Sequence, residues 1–413
     1  MPNACYPNEQ KYVSVSQALD TLLSSAKRIT KIERVDTMDT LGRVLATSQL
    51  STMDNPPTDN SSMDGYAIAS RDVSKQGETR LPISQRITAG SICNALIPGT
   101  AARIFTGASI PPGADTVVMQ EHCKIESNHA IIHEPITKGS YIRRKGEDIA
   151  QGDVILKAAT LIRPQDMGLA ASVGLAELPV LRRLRVAMLT TGNELTLPGT
   201  PLTAGKIYNS NHYTLSGLIH NLGCELVHYA IVADDKQSTK NALYHAAQNS
   251  DLVISSGGVS VGEEDHIKTA LAELGKVTLW RIAVKPGKPL VFGHIADTPF
   301  MGLPGNPVSS FVTFCLFATP YIKRCQGISK VKPSSLQATA NFTLAQTGPR
   351  EEYLRGKLES NEKAENIIHI FDNQSSGVLS SLTWANGLVR ILPGQTILHG
   401  DIVEFIPFSE FDI

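Results

Sequence analysis

Between residues 184 and 326 short, unbroken apolar runs alternate with amphipathic stretches. "LRVAMLTTGNEL" reads as a buried strand that ends in a glycine turn. A helix follows around Tyr213–Asn221, then the strand "ELVHYAIV", a helix capped by Ser238 through "TKNALYHAAQN", and the strand "DLVISSGG". The helix "DHIKTALAEL" comes next, then the β-rich run "VTLWRIAVKPGKPLVFGHI" and a long helix after "GLPGNPVSS". Strands with no polar alternation are covered on both faces, so this grammar predicts a doubly wound, mostly parallel α/β sheet. Ligands of such sheets bind outside the carboxyl ends of the strands, where each of these glycine-rich turns falls.

The pattern differs on either side. Residues 11–50 carry helical spacing, with Ser14 or Ser16 as a cap, Leu19, Leu22 and Leu23 on one face, and "DTLGRVLAT" closing the stretch. From about 51 to 160 short β-rich runs are punctuated by glycine and proline, as in "TAGSICNALIPGTAARIFTGASIPPGADTVV", which predicts β modules. "LIRPQDMGLAASVGL" returns to helix, and turns at "NQSSG", "WANG" and "LPGQ" predict a small C-terminal β-barrel. The expected organisation is a discontinuous helical/linker domain (1–50 and 140–183), a β-rich insertion (51–139), the α/β domain (184–326) and the barrel (327–413). A chain of 413 residues is too long for one ordinary core, which agrees.

Composition narrows the function classes. Lys plus Arg total 38 and Asp plus Glu 39, a net charge of −1, which gives no support to a nucleic-acid or membrane-surface role. The apolar run from Phe311 is too short to span a bilayer and is broken by Pro320, so it reads as a buried helix. The N-terminal residues lack signal-peptide features, and Cys5, Cys93, Cys123, Cys224, Cys315 and Cys325 follow no metal or disulfide spacing. A cytoplasmic protein with reduced thiols is the expectation.

The chemistry-bearing stretches lie at the predicted strand ends. "SSGGVSVGEEDH" joins a strand to a helix, where free N–H groups suit an anion, yet it adds Glu263, Glu264 and Asp265. It is neither a P-loop nor a dinucleotide fingerprint. First-turn acids complementing the helix dipole are the plain reading for Glu263 and Glu264, and Asp265 stays open between that and a ligand role. "TTGNEL" leaves Glu194 at the rim, and "VADD" adds Asp234 and Asp235; singly, each serves as well for a cap or a turn. Together they bring acids from three strand ends to one rim, as Mg²⁺ requires when held by one or two carboxylates and substrate phosphates. "RIAVKPGKPLVFG" offers Arg281, Lys285 and Lys288 as solvated cations or oxyanion binders. "GLPGNPVSS" places Ser309 near a helix start, and Ser310 reads as ordinary helix. Asp64 in "NSSMDGYAI" and Thr106 in "IFTGASIPPG" read in isolation as turn residues. No Ser–His–Asp arrangement is present, so nucleophilic catalysis is unsupported.

Taken together, "DNSSMDGYA", "RIFTGASIPPGADTVV", "RRKGEDI", "TTGNEL", "YNSNHYTL", "SSGGVSVGEEDH", "VKPGKPLVFG", "GLPGNPVSS" and "QSSGVLSSL" resemble the MoeA family of molybdopterin molybdenumtransferases, whose animal relative is the E domain of gephyrin. The resemblance covers nearly the whole chain. It implies a four-domain homodimer that inserts molybdate into adenylylated molybdopterin with release of AMP, using Mg²⁺. The cleft would be shared between subunits, and a molybdopterin adenylyltransferase is a candidate partner. By motif, the functional acids fall on Asp64, Asp148, Glu194, Asp234 and Asp265, with Thr106 beside them and the cations Arg281 and Lys285. Glu194 and Asp265 would hold the metal. Gly257, Gly258, Gly262, Lys288, Pro304 and Pro307 would bind the pterin substrate, and Lys285, Pro286, Ser309, Arg350 and Ser376 would form the molybdate pocket. Asn193, His212 and Arg281 depart from residues frequent in the family. A scaffolding role, as in gephyrin's receptor clustering, and a pterin binder without transfer activity are the alternatives.

Overall fold

The computed structural model describes residues 12–413 except 75–76, 134, 260–265 and 363, with backbone alone at 279–280. The chain falls into two compact units. One comprises the described residues up to Glu33, Gly42–Val44 and Leu181–Ile413; the other comprises Arg34–Leu41 and Leu45–Val180.

The first unit is built on a six-stranded sheet of β1 (Arg185–Thr191), β2 (Glu225–Val232), β3 (Leu252–Ser256), β4 (Gly275–Trp280), β5 (Val291–Ile295) and β6 (Thr298–Leu303), in the order β2-β1-β3-β6-β5-β4. β2, β1, β3 and β6 are parallel, and β5 runs antiparallel to both β6 and β4. The carboxyl ends of β1, β2, β3, β6 and β4 therefore share one rim. The helices of this unit include α1 (Val15–Ser25), α2 (Ser210–Asn221), α3 (Lys236–Gln248), α4 (His266–Leu274), α5 (Pro307–Thr313) and α6 (Thr319–Cys325), besides a short one at Ser380–Trp384. Leu243 and Ala246 of α3 and Ile267, Ala270 and Leu271 of α4 bury against Ala187, Leu189, Val253 and Phe300 of the sheet. α2 and α5 contact each other outside that cluster, as right-handed crossovers in opposite directions require.

Three local expectations are corrected. Helix 11–50 shrinks to α1, closed at its start by a capping box between Ser14 and Gln17. Beyond it "IERVD" is a strand over Ile32–Asp36, held extended by pairing with Glu177–Leu181, a partner far away in sequence. The cap of α3 is Asp235, not Ser238: its carboxylate accepts the Ser238 N–H at 2.8 Å from an extended backbone. Finally, Pro320 does not break the buried helix. A π-helical turn, Phe314–Ala318, bridges α5 and α6, and this wider turn absorbs a proline that cannot donate its missing N–H.

The same unit carries the C-terminal barrel: β7 (Leu336–Ala340), β8 (Glu351–Ser360), β9 (Asn366–Ile370), β10 (Gly387–Ile391) and β11 (Ile402–Pro407). The order β8-β9-β7-β11-β10 closes through a β8–β10 pairing around Ala338, Leu354, Ile368, Val389 and Phe405. A two-residue strand, Val284–Lys285, runs parallel beside the start of β8, opposite Glu351 and Glu352.

In the second unit six strands form a sheet in the order Thr116–Met119, Gly65–Ile68, Ala101–Ile104, Thr79–Ile87, His129–Ile132, Cys123–Glu126. Successive residues serve opposite faces: Tyr66 and Ile68 join one cluster and Ala67 the other. The helix Pro164–Ser172 belongs to this unit. Among the described residues no helix is long and apolar enough to cross a membrane. The five described cysteines are free, and burial pushes the Cys224 and Cys325 thiols up to about 12, so they are inert.

Candidate active site

From β1 the chain moves to β2 on one side through α2, then crosses to β3 on the other side through α3. The reversal opens a crevice between the carboxyl ends of β1 and β3, where ligands bind in open α/β sheets. A cleft of about 680 Å³ lies there. The β1 turn lines it with Thr191, Gly192 and Glu194, the β2 end with Asp234, the β3 end with Gly257 and Gly258, and the β6 end with Pro304, Asn306, Pro307 and Ser309.

The turn after β3 needs its glycines. Gly257 and Gly258 have φ of +91° and +65°, and a Cβ on either would press into Thr191, at 2.8 Å from its carbonyl oxygen and from its Oγ1 respectively. Side chains are excluded, so backbone lies bare at the cleft. The Thr191 Oγ1 beside it is buried without a hydrogen-bond partner. Gly262 and Asp265, together with Glu263 and Glu264, lie outside the described residues.

The rim is braced by amides that the residue-by-residue reading passed over. Asn211 Nδ2 donates to Ser256 Oγ (2.8 Å) and to the Gly305 carbonyl (2.7 Å), tying α2 to the ends of β3 and β6. Asn209 caps α2 with its Oδ1 and donates through Nδ2 to Thr190 Oγ1 (2.9 Å) and the Tyr229 hydroxyl (3.0 Å). Two asparagines two residues apart at a helix start, as "YNSN" shows, were the available signal. His212, one of the departures, stacks on Tyr229 with centroids 3.7 Å apart, and burial lowers its pKa.

Of the acids, Glu194 and Asp234 reach the cleft. The Asn193 N–H donates to Asp234 Oδ2 at 2.9 Å, and Asp234 N–H donates to Asn193 Oδ1 at 3.3 Å, so Asn193 latches the β1 and β2 turns together. Lys206 Nζ donates to the Asn193 carbonyl. Two carboxylates and an orphaned hydroxyl make a donor set of hard oxygens, the kind that suits Mg²⁺.

The candidate cations, and Pro286 and Ser376 of the expected molybdate pocket, are not among the residues that line the cleft. The segment that carries Arg281, Lys285 and Lys288 leaves β4 two strands beyond β6 and returns to the cleft at Pro289, with Gly287 packed against Thr313 of α5. Arg281 follows β4 in the left-handed region, φ +65°, with its Nε buried and unpartnered. Lys285 precedes Pro286 and pairs with Glu352 at 3.0 Å, which offsets its charge. Lys288 lies over the Tyr12 ring, 5.6 Å from its centroid. Arg350 Nη1 donates to the Val284 carbonyl at 3.4 Å. Ser376 is coupled to the cleft: its Oγ accepts from Asn306 Nδ2 (2.9 Å), its carbonyl accepts the Val308 N–H (3.0 Å), and Gly377 lines the wall.

Within the second unit, Asp64 and Thr106 come together. The Thr106 N–H and hydroxyl both donate to Asp64 Oδ1 at 2.8 Å, and these bonds hold the Asp64 carboxyl below its usual range. Asp148 Oδ2 accepts from Asn55 Nδ2 at 3.5 Å and is exposed.

Comparison with known proteins places this geometry. Residues 13–174 match a family described as the MoeA N-terminal region (domain I and II), 187–324 one described as "Probable molybdopterin binding domain", and 337–408 the MoeA C-terminal region (domain IV). The chain is 35% identical over 401 residues to the molybdopterin molybdenumtransferase of Haemophilus influenzae, covering 96% of this chain and 99% of that protein. It is 36% identical over 376 residues to the enzyme of the same name from a Nostoc species, covering 89% and 86%. A crystal structure of the molybdopterin biosynthesis MoeA protein from Pyrococcus horikoshii superposes with a TM-score of 0.80 at 31% identity, over 96% of this chain and 99% of that one.

Proposed function

The chain belongs to the MoeA family of molybdopterin molybdenumtransferases, and on that premise we propose that it inserts molybdate into adenylylated molybdopterin with release of AMP. One observation carries this reading. Acids and a bare glycine backbone, which separately suit opposite charges, line a single cleft at the strand-order reversal. A ligand that satisfies both is an anion accompanied by a cation.

The chain's own residues divide the work. Gly257 and Gly258 leave the backbone open to a phosphate, which a Cβ would hold off. The Pro304–Pro307 turn and the Asn211 brace keep the β3 and β6 ends at fixed spacing, so the substrate meets a preformed wall. Glu194 and Asp234, with Asp265, would hold Mg²⁺. When bound, the ion supplies charge neutralisation at the phosphates and polarisation of the phosphoanhydride. Ser309, buried at the start of α5, offers a hydroxyl to the cleft. Arg350 and Ser376, with Lys285 and Pro286, form the proposed molybdate pocket; Arg350 can donate two parallel hydrogen bonds to a tetrahedral dianion, where Lys285 is a point charge. Lys285 gives one of its three donors to Glu352 and keeps the others for an anion. We read the working form as a cytoplasmic homodimer.

The test is incubation of the purified protein with adenylylated molybdopterin, molybdate and Mg²⁺. AMP release should require all three, and release without molybdate would count against coupling of cleavage to insertion. Chelation should stop turnover and Mg²⁺ restore it.

A further inference from the structure

Arg355 is the largest side chain with no exposed surface. It lies on β8 beneath the loop 374–377. Its Nε donates to Ser381 Oγ at 3.0 Å and its Nη2 to the Ser375 carbonyl at 3.3 Å. Its backbone N–H donates to Gln374 Oε1 (2.9 Å), and its carbonyl accepts from Gln374 Nε2 (3.1 Å). Every one of these partners is neutral, and no described carboxylate forms an ion pair with it, unlike Arg390 on the neighbouring strand, which pairs with Glu351 and Glu404. A guanidinium has five donors, and two neutral acceptors offset little of the cost of removing its charge from water. Burial alone lowers its pKa to about 10, so at neutral pH the charge persists.

A loop anchor needs no charge. The Ser375 carbonyl and Ser381 hydroxyl would accept from a neutral donor, so a role in loop geometry leaves the charge unexplained. The loop itself gives the direction in which the charge is used. Ser376, one residue beyond the carbonyl that Arg355 holds, meets Asn306 and the Val308 N–H at the first turn of α5, and Gly377 lines the cleft.

We propose that Arg355 is a positioning residue for the oxyanion substrate, clamping the 374–377 loop from inside the barrel while holding a buried positive charge that the bound oxyanion compensates. The inference rests on the reading of Ser376 as part of the molybdate pocket. It adds to that pocket a cation that never touches the ligand. Charge stored beneath the loop favours a dianion over a monoanion of similar size.

The experiment uses the full-length protein and inorganic molybdate, with binding followed by calorimetry and folding by thermal melting. Three variants are compared: Arg355→Met, Arg355→Lys and, as a pocket control, Arg350→Ala. Arg355→Met should fold with an unlowered melting temperature and bind molybdate about tenfold more weakly or worse. In Arg355→Lys the buried ammonium should titrate well below its ordinary range, because Ser375, Ser381 and Gln374, the groups that face it, do not ionise. Below that pKa the lysine is charged and molybdate binds; as pH rises through it, over roughly pH 7 to 9, binding should fall in a way the wild type does not show. Binding by folded Arg355→Met within about twofold of wild type would overturn the proposal. If Arg355→Met does not fold, Arg355→Lys decides: wild-type pH dependence there overturns it. Wild-type-like binding by both Arg355 variants with loss in Arg350→Ala would sink the clamp and leave the pocket standing. Unaltered binding in both Arg350→Ala and Arg355→Met would remove the pocket, and the clamp with it.

Discussion

Glu194 hangs over Gly192: a Cβ there would lie 2.6 Å from the Glu194 carboxylate, which could swing aside, but the φ of +147° strains any other residue. The exposed carboxylate folds back over its own turn at the edge of the cleft, where a cation can reach it. Glu194→Gln keeps the shape and removes the charge. Its apparent Mg²⁺ requirement should rise roughly tenfold or more, the scale of one charge-assisted contact, with thermal stability unchanged. Full AMP release at limiting Mg²⁺ would take Glu194 out of the metal site. The sequence announced this acid only through its neighbours, since one carboxylate after a glycine turn is as often a cap.

At the scale of elements, the opposite ends of the same strands carry a different kind of pair. Arg182 donates to Asp251 through both Nη atoms, at 2.6 and 2.7 Å, and the Arg185 N–H adds a third bond at 2.8 Å, joining the starts of β1 and β3. Burial works to raise the Asp251 pKa, but the Arg182 and Arg185 hydrogen bonds outweigh it and the net shift is downward. Because the folded pKa is depressed, the stabilisation is present above the ordinary aspartate pKa of about 3.9 and is lost as pH falls through the lower folded value. Asp251→Asn should cost about 3 kcal/mol at neutral pH, and its denaturation midpoint should vary less below pH about 4 than that of the wild type. A second element-level test concerns the β3 turn. Gly257→Ala combines backbone strain with a 2.8 Å contact to Thr191 and should cost about 2–4 kcal/mol, whereas Gly42→Ala, with φ +70° and open space, should cost about 1–2. Equal losses by urea unfolding would deny the close approach. These elements were largely legible: the apolar runs that read as strands are β1, β2 and β3, since unbroken burial leaves an unmistakable pattern. The strand after α1 was missed because it is short and half exposed, and the α3 cap was shifted to Ser238 because two acids and a serine compete there by type alone. The amides Asn209 and Asn211 escaped because hydrogen bonds between separate strand ends leave no periodic trace.

At the scale of the whole molecule, the acids of the proposed site are split between two compact units, with Asp64 in one and Glu194 in the other. In the proposed homodimer a competent centre would draw on Asp64 of the partner subunit. Mixing Asp64→Ala protein with Glu194→Ala protein, each inactive alone, should then restore about half of the wild-type turnover in verified mixed dimers. No recovery would assign both acids to one subunit's site. The segment that carries Lys285 has its own dependence on the whole chain. The Ala283 N–H bonds to the Val13 carbonyl, and the Glu351 N–H bonds to the Ala283 carbonyl, so three segments far apart in sequence make one ribbon beside Lys285. Contacts of such separation close late, because each long loop must be fixed before it is rewarded. During synthesis on the ribosome, Val13 waits for Ala283, and both wait for Glu351. The sheet and its acids can order first, while the residues that would grip an oxyanion are set only after the barrel has emerged. A nascent chain would therefore set Glu194, Asp234 and the Gly257–Gly258 turn before the proposed molybdate residues Lys285 and Arg350, and a stalled one would never set the latter.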